Sequence, residues 1–311
     1  MEFSIIIPTV GRCDSLERLL HGISEHFGQS GIKHEVLVVN NAPPGELSER
    51  ISRIAATFQI AGRAPVRVIN EARPGKCMAL NLAIGQASGQ VLAFFDDDVQ
   101  VTSDWLAIAA EFFRAKSFDA MQGPILIPSE LQGNEEFMRA LNRYRTIHFV
   151  KYPSSMSEIK TLTGANMAIR RAVFERVGLF DERLGPGQAG MSEDVEFAQR
   201  LLASGGKIGY EPNAEVYHEV DWSRLTEEYF RLRHEQQGRS RLLFKQRSLL
   251  SILSNFLRSM ISFAWYSIKG HERKKYRAKG RYFHYRAMLR EKMKPTLASG
   301  IEPGQRIRQG L

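Results

Sequence analysis

An α/β protein with a mostly parallel central sheet flanked by helices is the fold class this sequence predicts. Short apolar runs alternate with amphipathic stretches through the first two-thirds of the chain, the pattern of repeated βα units. The runs are nearly continuous, as strands covered on both faces must be. The stretches between them carry apolar residues at helical spacing.

Each element follows in order. Phe3-Ser4-Ile5-Ile6-Ile7 is a β-branched run stopped by Pro8, which reads as a central buried strand. From Cys13 to Phe27, Leu16, Leu19, Leu20 and Ile23 take helical spacing. Val36-Leu37-Val38-Val39 is the next strand, closed by Asn40-Asn41 and the turn-forming Pro43-Pro44-Gly45, and residues 46–60 read as a helix. Val66 to Ile69 is a third strand, Gly75 to Ala87 a helix closed by Gly89, and Val91 to Phe95 a fourth strand ending in Asp96, Asp97 and Asp98. Beyond a short loop, Val99 to Arg114 reads as helical. Downstream, the turn Thr163-Gly164-Ala165-Asn166 leads into a short strand and a helix from Arg171 to Val177. Gly185 to Gly190, with three glycines and a proline, reads as a mobile loop. Ser192 is placed to N-cap a helix running through Leu202, and Ala214 to Tyr217 is a further strand ending at His218.

Composition excludes several classes. At 43% apolar and 25% charged residues over 311 positions, the chain can bury a large core and is neither disordered nor collagen-like. Two distant cysteines, Cys13 and Cys77, imply no disulfide framework and suit a reducing compartment. Residues 1–9 enter a strand pattern at once, without the basic start of a signal peptide, and no apolar run is long enough to span a bilayer. A cytoplasmic protein, peripheral on the inner face of the cell membrane, is the expectation. Charge is divided unevenly: residues 1–223 hold 22 Lys and Arg against 28 Asp and Glu, whereas residues 224–311 hold 21 against 6.

Three adjacent carboxylates at the carboxyl end of a buried strand sit where ligands gather in open α/β sheets. Their mutual repulsion calls for a cation, and hard oxygen ligands suit Mg²⁺ or Mn²⁺. The alternative is a solvated acidic turn or a helix cap. Asp194, one turn into its helix after a glycine-rich loop, is a candidate general base beside Glu193, the alternative being a dipole-stabilising residue. His218 at a strand end reads either as a metal ligand or as an ordinary polar residue.

Taken together, these residues resemble glycosyltransferase family 2, enzymes of the GT-A fold. The resemblance runs in chain order through Ile5-Ile6-Ile7-Pro8-Thr9, Val38-Val39-Asn40-Asn41, Pro74-Gly75-Lys76 with Ala79-Leu80-Asn81, Phe95-Asp96-Asp97-Asp98, Gly164-Ala165-Asn166, Val177 to Glu182, Glu193-Asp194 and Tyr217-His218. It implies a GT-A catalytic domain over residues 1–245, with a nucleotide-sugar half over 1–120 and an acceptor half over 121–245. A basic helical extension follows over 246–311. It also implies an inverting, metal-dependent transfer from a nucleoside-diphosphate sugar to a hydroxyl of a glycan or lipid-linked acceptor, in surface polysaccharide or glycolipid synthesis. Pro8, Thr9, Arg12, Asn41, Lys76, Asp96 and Asp97 would bind the donor. Asp98, Asp96 and His218 would hold the metal, Asp194 with Glu193 would carry the catalysis, and Gly164, Ala165 and Asn166 would line the acceptor side. Asn41 departs from the family's usual aspartate, which leaves the base preference open and admits a donor-binding pseudoenzyme. Processive members carry a Gln-x-x-Arg-Trp motif, whereas Gln236-Gln237-Gly238-Arg239 has no tryptophan after it; a single addition is expected.

Residues 248–269 form an amphipathic pattern with a wide apolar face, followed by a basic aromatic run from His271 to Lys294. An anionic membrane surface is the expected partner for residues 248–294. Packing on the catalytic domain or a second subunit is the competing reading. A nucleic-acid-binding protein acting through this tail is the alternative of another class, and no nucleic acid is expected while the acidic motifs are in use. Oligomeric state stays open.

Overall fold

The computed structural model describes residues 2–61 and 65–294. In chain order the elements are β1 (Phe3–Thr9), α1 (Cys13–His26), β2 (His34–Asn40), α2 (Glu46–Ala61), β3 (Val66–Asn70), α3 (Lys76–Gln86), β4 (Val91–Phe95), β5 (Val99–Val101) and α4 (Trp105–Ala115). They continue through β6 (Ala120–Gln122), β7 (Ile125–Leu126), α5 (Ser129–Gln132), α6 (Glu135–Tyr144), β8 (Glu158–Ile159), β9 (Asn166–Arg170), α7 (Arg171–Val177) and α8 (Glu193–Ala203). The last are β10 (Ile208–Tyr210), β11 (Val216–His218), α9 (Glu227–Phe244), α10 (Leu249–Ile268) and α11 (Glu272–Lys292).

Eight strands form the main sheet in the order β3-β2-β1-β4-β9-β6-β10-β8. The first four strands of that order are parallel throughout. β9 enters antiparallel between β4 and β6. The apolar runs are continuous because alternate side chains fill two different cores. Ile5, Ile7, Val36, Val38, Ala93 and Phe95 pack with α1, α2 and α4 on one face. Ile6, Leu37, Val39, Leu92 and Phe94 pack with α3, α7 and α8 on the other. At about 2 kcal/mol for each large apolar side chain buried, neither face tolerates a register slip.

One expectation is corrected here. Val99–Val101 is a strand, and the helix begins only at Trp105. Its buried-exposed-buried pattern is that of a strand, and it pairs antiparallel with β11 in a second sheet of order β5-β11-β7. Val99-Gln100-Val101 is too short to display a period of two beside the helical spacing beyond residue 104. Ser192 is corrected as well. It precedes α8 at φ 80° with no side-chain cap bond, and with Arg145 it is one of two non-glycine residues at positive φ among the described residues.

The basic extension, as far as residue 294, is a helical hairpin, and its residues 295–311 lie outside the described residues. α11 lies between α9 and α10. Phe283, Ala287 and Met288 of α11 are buried, and a Cβ on Gly238 of α9 would meet the His284 carbonyl at 2.3 Å, so glycine lets the two backbones approach. α10 touches α11, with Phe256 stacked on Tyr282 at 5.4 Å. No helix among the described residues is long and apolar enough to cross a membrane.

Candidate active site

The turn joining β4 to β5 carries the aspartates, and the pairing of β5 with β11 determines what faces them. His218 is opposite Val99 in that ladder, and the Glu219 N–H donates to the Asp98 carbonyl at 2.8 Å. The register therefore places His218 beside Asp98, although the two are far apart in sequence. One ligand atom each of Asp96, Asp98 and His218 lies within 4.8 Å of the others. This is the set expected from the sequence, now brought together.

The donor chemistry of the cluster fits a divalent cation. His218 is 1% exposed, and its Nδ1 lies 2.6 Å from the Glu219 carbonyl. That carbonyl can only accept, so Nδ1 donates to it, and Nε2 is directed toward Asp98 Oδ1, 3.4 Å away. Asp98 Oδ1 is itself buried without a hydrogen-bond donor. A buried carboxylate oxygen with no donor, beside an imidazole nitrogen and a second carboxylate, is a donor set that suits a divalent cation.

The remaining carboxylate atoms are already held. Thr9, at the end of β1, donates to Asp97 Oδ2 at 2.7 Å. Arg12 reaches Asp97 Oδ1 at 3.0 Å and Asp98 Oδ2 at 2.9 Å. Burial raises the Asp97 pKa above the ordinary carboxylate range, partly offset by Thr9 and Arg12. Lys76, at the first position of α3, is ion-paired to Asp96 and lies 3.8 Å from Glu193 Oε1. Burial opposes both charges of the Lys76–Asp96 pair, yet their mutual attraction wins: Asp96 is lowered and Lys76 raised.

Lys76 links the aspartates to the start of α8. A Cβ on Gly164 would sit 3.3 Å from Lys76 Nζ, and the Gly164 N–H donates to Asp194 Oδ2 at 3.1 Å. Asp194 Oδ1 accepts from the Val195 N–H at 2.7 Å. Burial raises the pKa of Asp194, against Lys76 and these two N–H donors. Glu193 is more enclosed, and burial with the neighbouring Asp194 pushes its pKa up to about 7. The Gly185–Gly190 loop is pinned down: Lys76 N–H donates to Pro186 O at 2.9 Å, Gln188 to Pro74 O at 2.8 Å and Ser240 to Ala189 O at 3.0 Å. Gly187, at φ 87°, would bring a Cβ within 2.9 Å of the Gly75 Cα, so glycine lets the loop close onto the turn.

Two expected contacts are corrected. Asn41 is no free base-binding amide. It donates to the carbonyls of Glu71 and Arg73 at 2.7 and 2.8 Å and accepts from the Gly75 N–H at 3.1 Å, bracing the turn that carries Lys76. Ala165 and Asn166 are 0% exposed and line no acceptor surface. Asn166 accepts from Trp105 Nε1–H and donates to the carbonyls of Pro124 and Ala214. Of that turn, only the Gly164 backbone reaches the site, through Asp194. Pro8 stands within β1, between Ile7 and the Thr9 that holds Asp97.

Sequence reasoning missed three residues. Arg224 approaches Asp98 Oδ2 at 3.4 Å. Arg233 of α9 lies 3.3 Å from His148 Nε2, and the His148 ring is 5.9 Å from that of His218. Burial lowers the pKa of Arg233, and burial with Arg233 pushes that of His148 down to about 3. Arg233 has no carboxylate within ion-pair distance among the described residues, unlike the nearby Arg12 and Arg224. No spacing rule marks it, because α9 docks from far along the chain.

Comparison with known proteins gives the family and the fold. The chain is 26% identical over 208 residues to glycosyltransferase AglE of Haloferax volcanii, covering 67% of this chain and 63% of that protein. It is 27% identical over 163 residues to the succinoglycan biosynthesis protein ExoM of Rhizobium meliloti, covering 52% and 50% respectively. The chain thus spans less than two-thirds of these curated relatives. Among solved structures, mannosyltransferase PcManGT from Pyrobaculum calidifontis, in complex with GDP-Man and Mn²⁺, superposes with a TM-score of 0.55 at 17% identity, over 93% of this chain and 74% of that one. S. aureus TarS 1–349 with UDP-GlcNAc gives 0.56 at 15%, over 94% and 91%. These likenesses fix a GT-A fold. The family model for glycosyl transferase family 2 matches residues 4–178, more than half of the chain, and the chain belongs to that family.

Proposed function

We propose that the protein is an inverting, metal-dependent glycosyltransferase that moves one sugar from a nucleoside-diphosphate donor to a hydroxyl of a glycan or lipid-linked acceptor, in polysaccharide or glycolipid synthesis. The observation that carries this reading is the run of contacts from the Asp96–Asp98–His218 cluster through Lys76 to Asp194. It joins a cation site to a positioned carboxylate. The names of similar proteins support the donor class: one solved relative holds GDP-Man with Mn²⁺ and another UDP-GlcNAc.

Asp96, Asp98 and His218 would hold Mn²⁺ or Mg²⁺, which when bound neutralises charge on the departing diphosphate. Thr9 and Arg12 keep Asp97 and Asp98 in place. Arg233 and Arg224 would receive the diphosphate oxygens: Arg233 is a half-buried guanidinium without a carboxylate in ion-pair distance among the described residues, and Arg224 stands beside Asp98 at the cation site. Asp194 would take the acceptor's proton as the hydroxyl oxygen bonds to the anomeric carbon. The bond from that carbon to the diphosphate oxygen breaks in the same displacement, and its electron pair leaves with the nucleotide. The raised pKa of Asp194 makes it a stronger base than an exposed carboxylate.

The test is calorimetric titration of UDP, GDP and dTDP, with and without Mn²⁺, followed by transfer assays. Asp98→Ala should lose manganese-dependent nucleotide binding, and Arg233→Met should weaken it in the presence of the metal. Asp194→Asn should retain nucleotide affinity within about threefold and lose transfer by 10²-fold or more, roughly the reach of general-base catalysis. Equal loss of nucleotide binding in Asp98→Ala and Asp194→Asn would refute the division of roles.

A further inference from the structure

The α10–α11 hairpin leaves one long apolar helix face uncovered. In an ordinary surface helix the apolar stripe faces inward and the polar side outward. α10 is apolar on both sides. Ile252 and Ser259 are its buried residues, and Phe256, Phe263 and Tyr266 share their half-covered face toward α11 with Ser251, Asn255 and Ser262. The polar groups on that face need no partner from α11: Ser259 donates to the Phe256 carbonyl at 2.6 Å and Asn255 to the Ser251 carbonyl at 2.7 Å. The opposite face presents Leu250, Ile261, Trp265 and Ile268 at 79, 70, 56 and 83% exposure, with Leu253 and Leu257 between them. With one apolar face already packed on α11, a second face of large apolar side chains turned outward matches a helix that lies at a lipid surface. A continuous apolar patch of this length on a water-facing surface marks an interaction site.

Charge identifies the occupant. Between residues 245 and 290 there are twelve Lys and Arg and a single acid, Glu272. Lys279 and Arg286 are spent on Glu227 and Glu235 of α9. Arg258, Lys269, Arg273, Lys274, Arg277 and Arg281 are exposed or nearly so, without a carboxylate in ion-pair distance among the described residues. A second copy docked face to face would set these cations against their own kind. A nucleic acid would satisfy the cations and leave the leucines and tryptophan in water. An anionic bilayer satisfies both. We infer that the hairpin is a peripheral membrane-docking device, with α10 lying in the plane of an anionic lipid surface, its apolar face in the acyl boundary and the flanking cations at the headgroups.

α10 is too short of apolar residues to span, so docking should be reversible and salt-sensitive. α11 transmits the attachment to α9, whose Arg233 and Ser240 reach the site and its loop. The hairpin thus anchors the helix that completes the active site.

The experiment is co-sedimentation of the full chain with vesicles of phosphatidylcholine, with and without phosphatidylglycerol, beside analytical ultracentrifugation without lipid. The wild type should bind only phosphatidylglycerol-containing vesicles, and brominated lipid should quench exposed Trp265. A Leu250→Ser/Ile261→Ser/Trp265→Ser/Ile268→Ser variant changes solvent-facing residues alone; it should keep its helical content and lose vesicle binding at least tenfold. Arg273→Glu/Lys274→Glu/Arg277→Glu should weaken partition by about a hundredfold, at roughly 1 kcal/mol per cation near such a surface. A wild type that stays in the supernatant, or a serine variant that binds as well as wild type, overturns the proposal. So does a tight dimer that the serine substitutions dissociate while vesicles bind neither form.

Discussion

Asn166→Leu separates a structural role from an acceptor-binding one. The side chain is wholly buried and makes three hydrogen bonds: Trp105 Nε1–H to its Oδ1 at 2.9 Å, and its Nδ2 to the carbonyls of Pro124 and Ala214 at 2.7 and 2.8 Å. Leucine has the same number and branching of side-chain heavy atoms, is somewhat larger, excludes water and pairs with none of them. Each stranded group costs about 1–3 kcal/mol, and partial relaxation brings the total to about 4 kcal/mol. Relaxation is restricted because a Cβ on the adjacent Gly123 would already meet the Ala214 carbonyl at 2.0 Å. Equilibrium urea unfolding should show the midpoint falling without a change in slope. Transfer kinetics on the folded fraction should give an acceptor KM within about twofold of wild type, because no direct contact is removed. An unchanged midpoint with a raised acceptor KM would refute the reasoning and return Asn166 to the acceptor surface.

Asn41→Asp, which installs the family's more usual residue, should weaken nucleotide binding rather than improve it. A carboxylate would face the Glu71 and Arg73 carbonyls that now accept from Nδ2, costing about 2–3 kcal/mol and loosening the Lys76 turn. Calorimetry showing equal or tighter nucleotide binding would count against the brace. Acid should destabilise the α9–α11 contact through His284, whose pKa burial and then Arg241 push down to about 4. Below its unfolded value of about 6.5 the unfolded chain binds the proton first, so stability is complete above that pH and falls as pH drops toward 4, by up to about 3 kcal/mol. Thermal midpoints of wild type and His284→Gln between pH 7 and 5 should diverge, with the variant the flatter; parallel curves would remove His284 as the cause.

Much of this was legible in the sequence because the informative signals are local. Phe3–Ile7, Val36–Val39 and Val91–Phe95 read as doubly covered strands, and each alternates between two cores. Asp96–Asp98 announced themselves by adjacency, and His218 by its place at a strand end. What failed depended on contacts between distant segments. Val99–Val101 is a strand only because β11 pairs with it. Asn41 and Asn166 have the residue type of a ligand contact, and only the packed structure shows their polar atoms already committed. Arg233 was silent in the sequence, since its significance is the lack of a carboxylate in a buried place. The tail's amphipathic pattern was visible, whereas which of its apolar residues are covered was not: α11 covers Ile252 and Phe256 and leaves Leu250, Ile261 and Ile268 outside.

The two carboxyls at the start of α8 also have different work to do in the proposed reaction. Asp194 is only half-buried and accepts from two backbone N–H groups, so its oxygens are aimed and its charge supported without a side chain in the way. Glu193 is enclosed: a Cβ on Gly185 would touch its carboxyl at 3.4 Å and Cys77 Sγ at 3.3 Å. Its visible partner is Lys76. Burial and the neighbouring Asp194 push its pKa up to about 7. Lys76 is then held between Asp96 on one side and Glu193 on the other, and a compact ammonium suits that buried gap better than a guanidinium fork. In the proposed reaction Glu193 would therefore act as a positioning residue, fixing the lysine that connects the cation site to the base, and Asp194 alone of the pair would meet the acceptor.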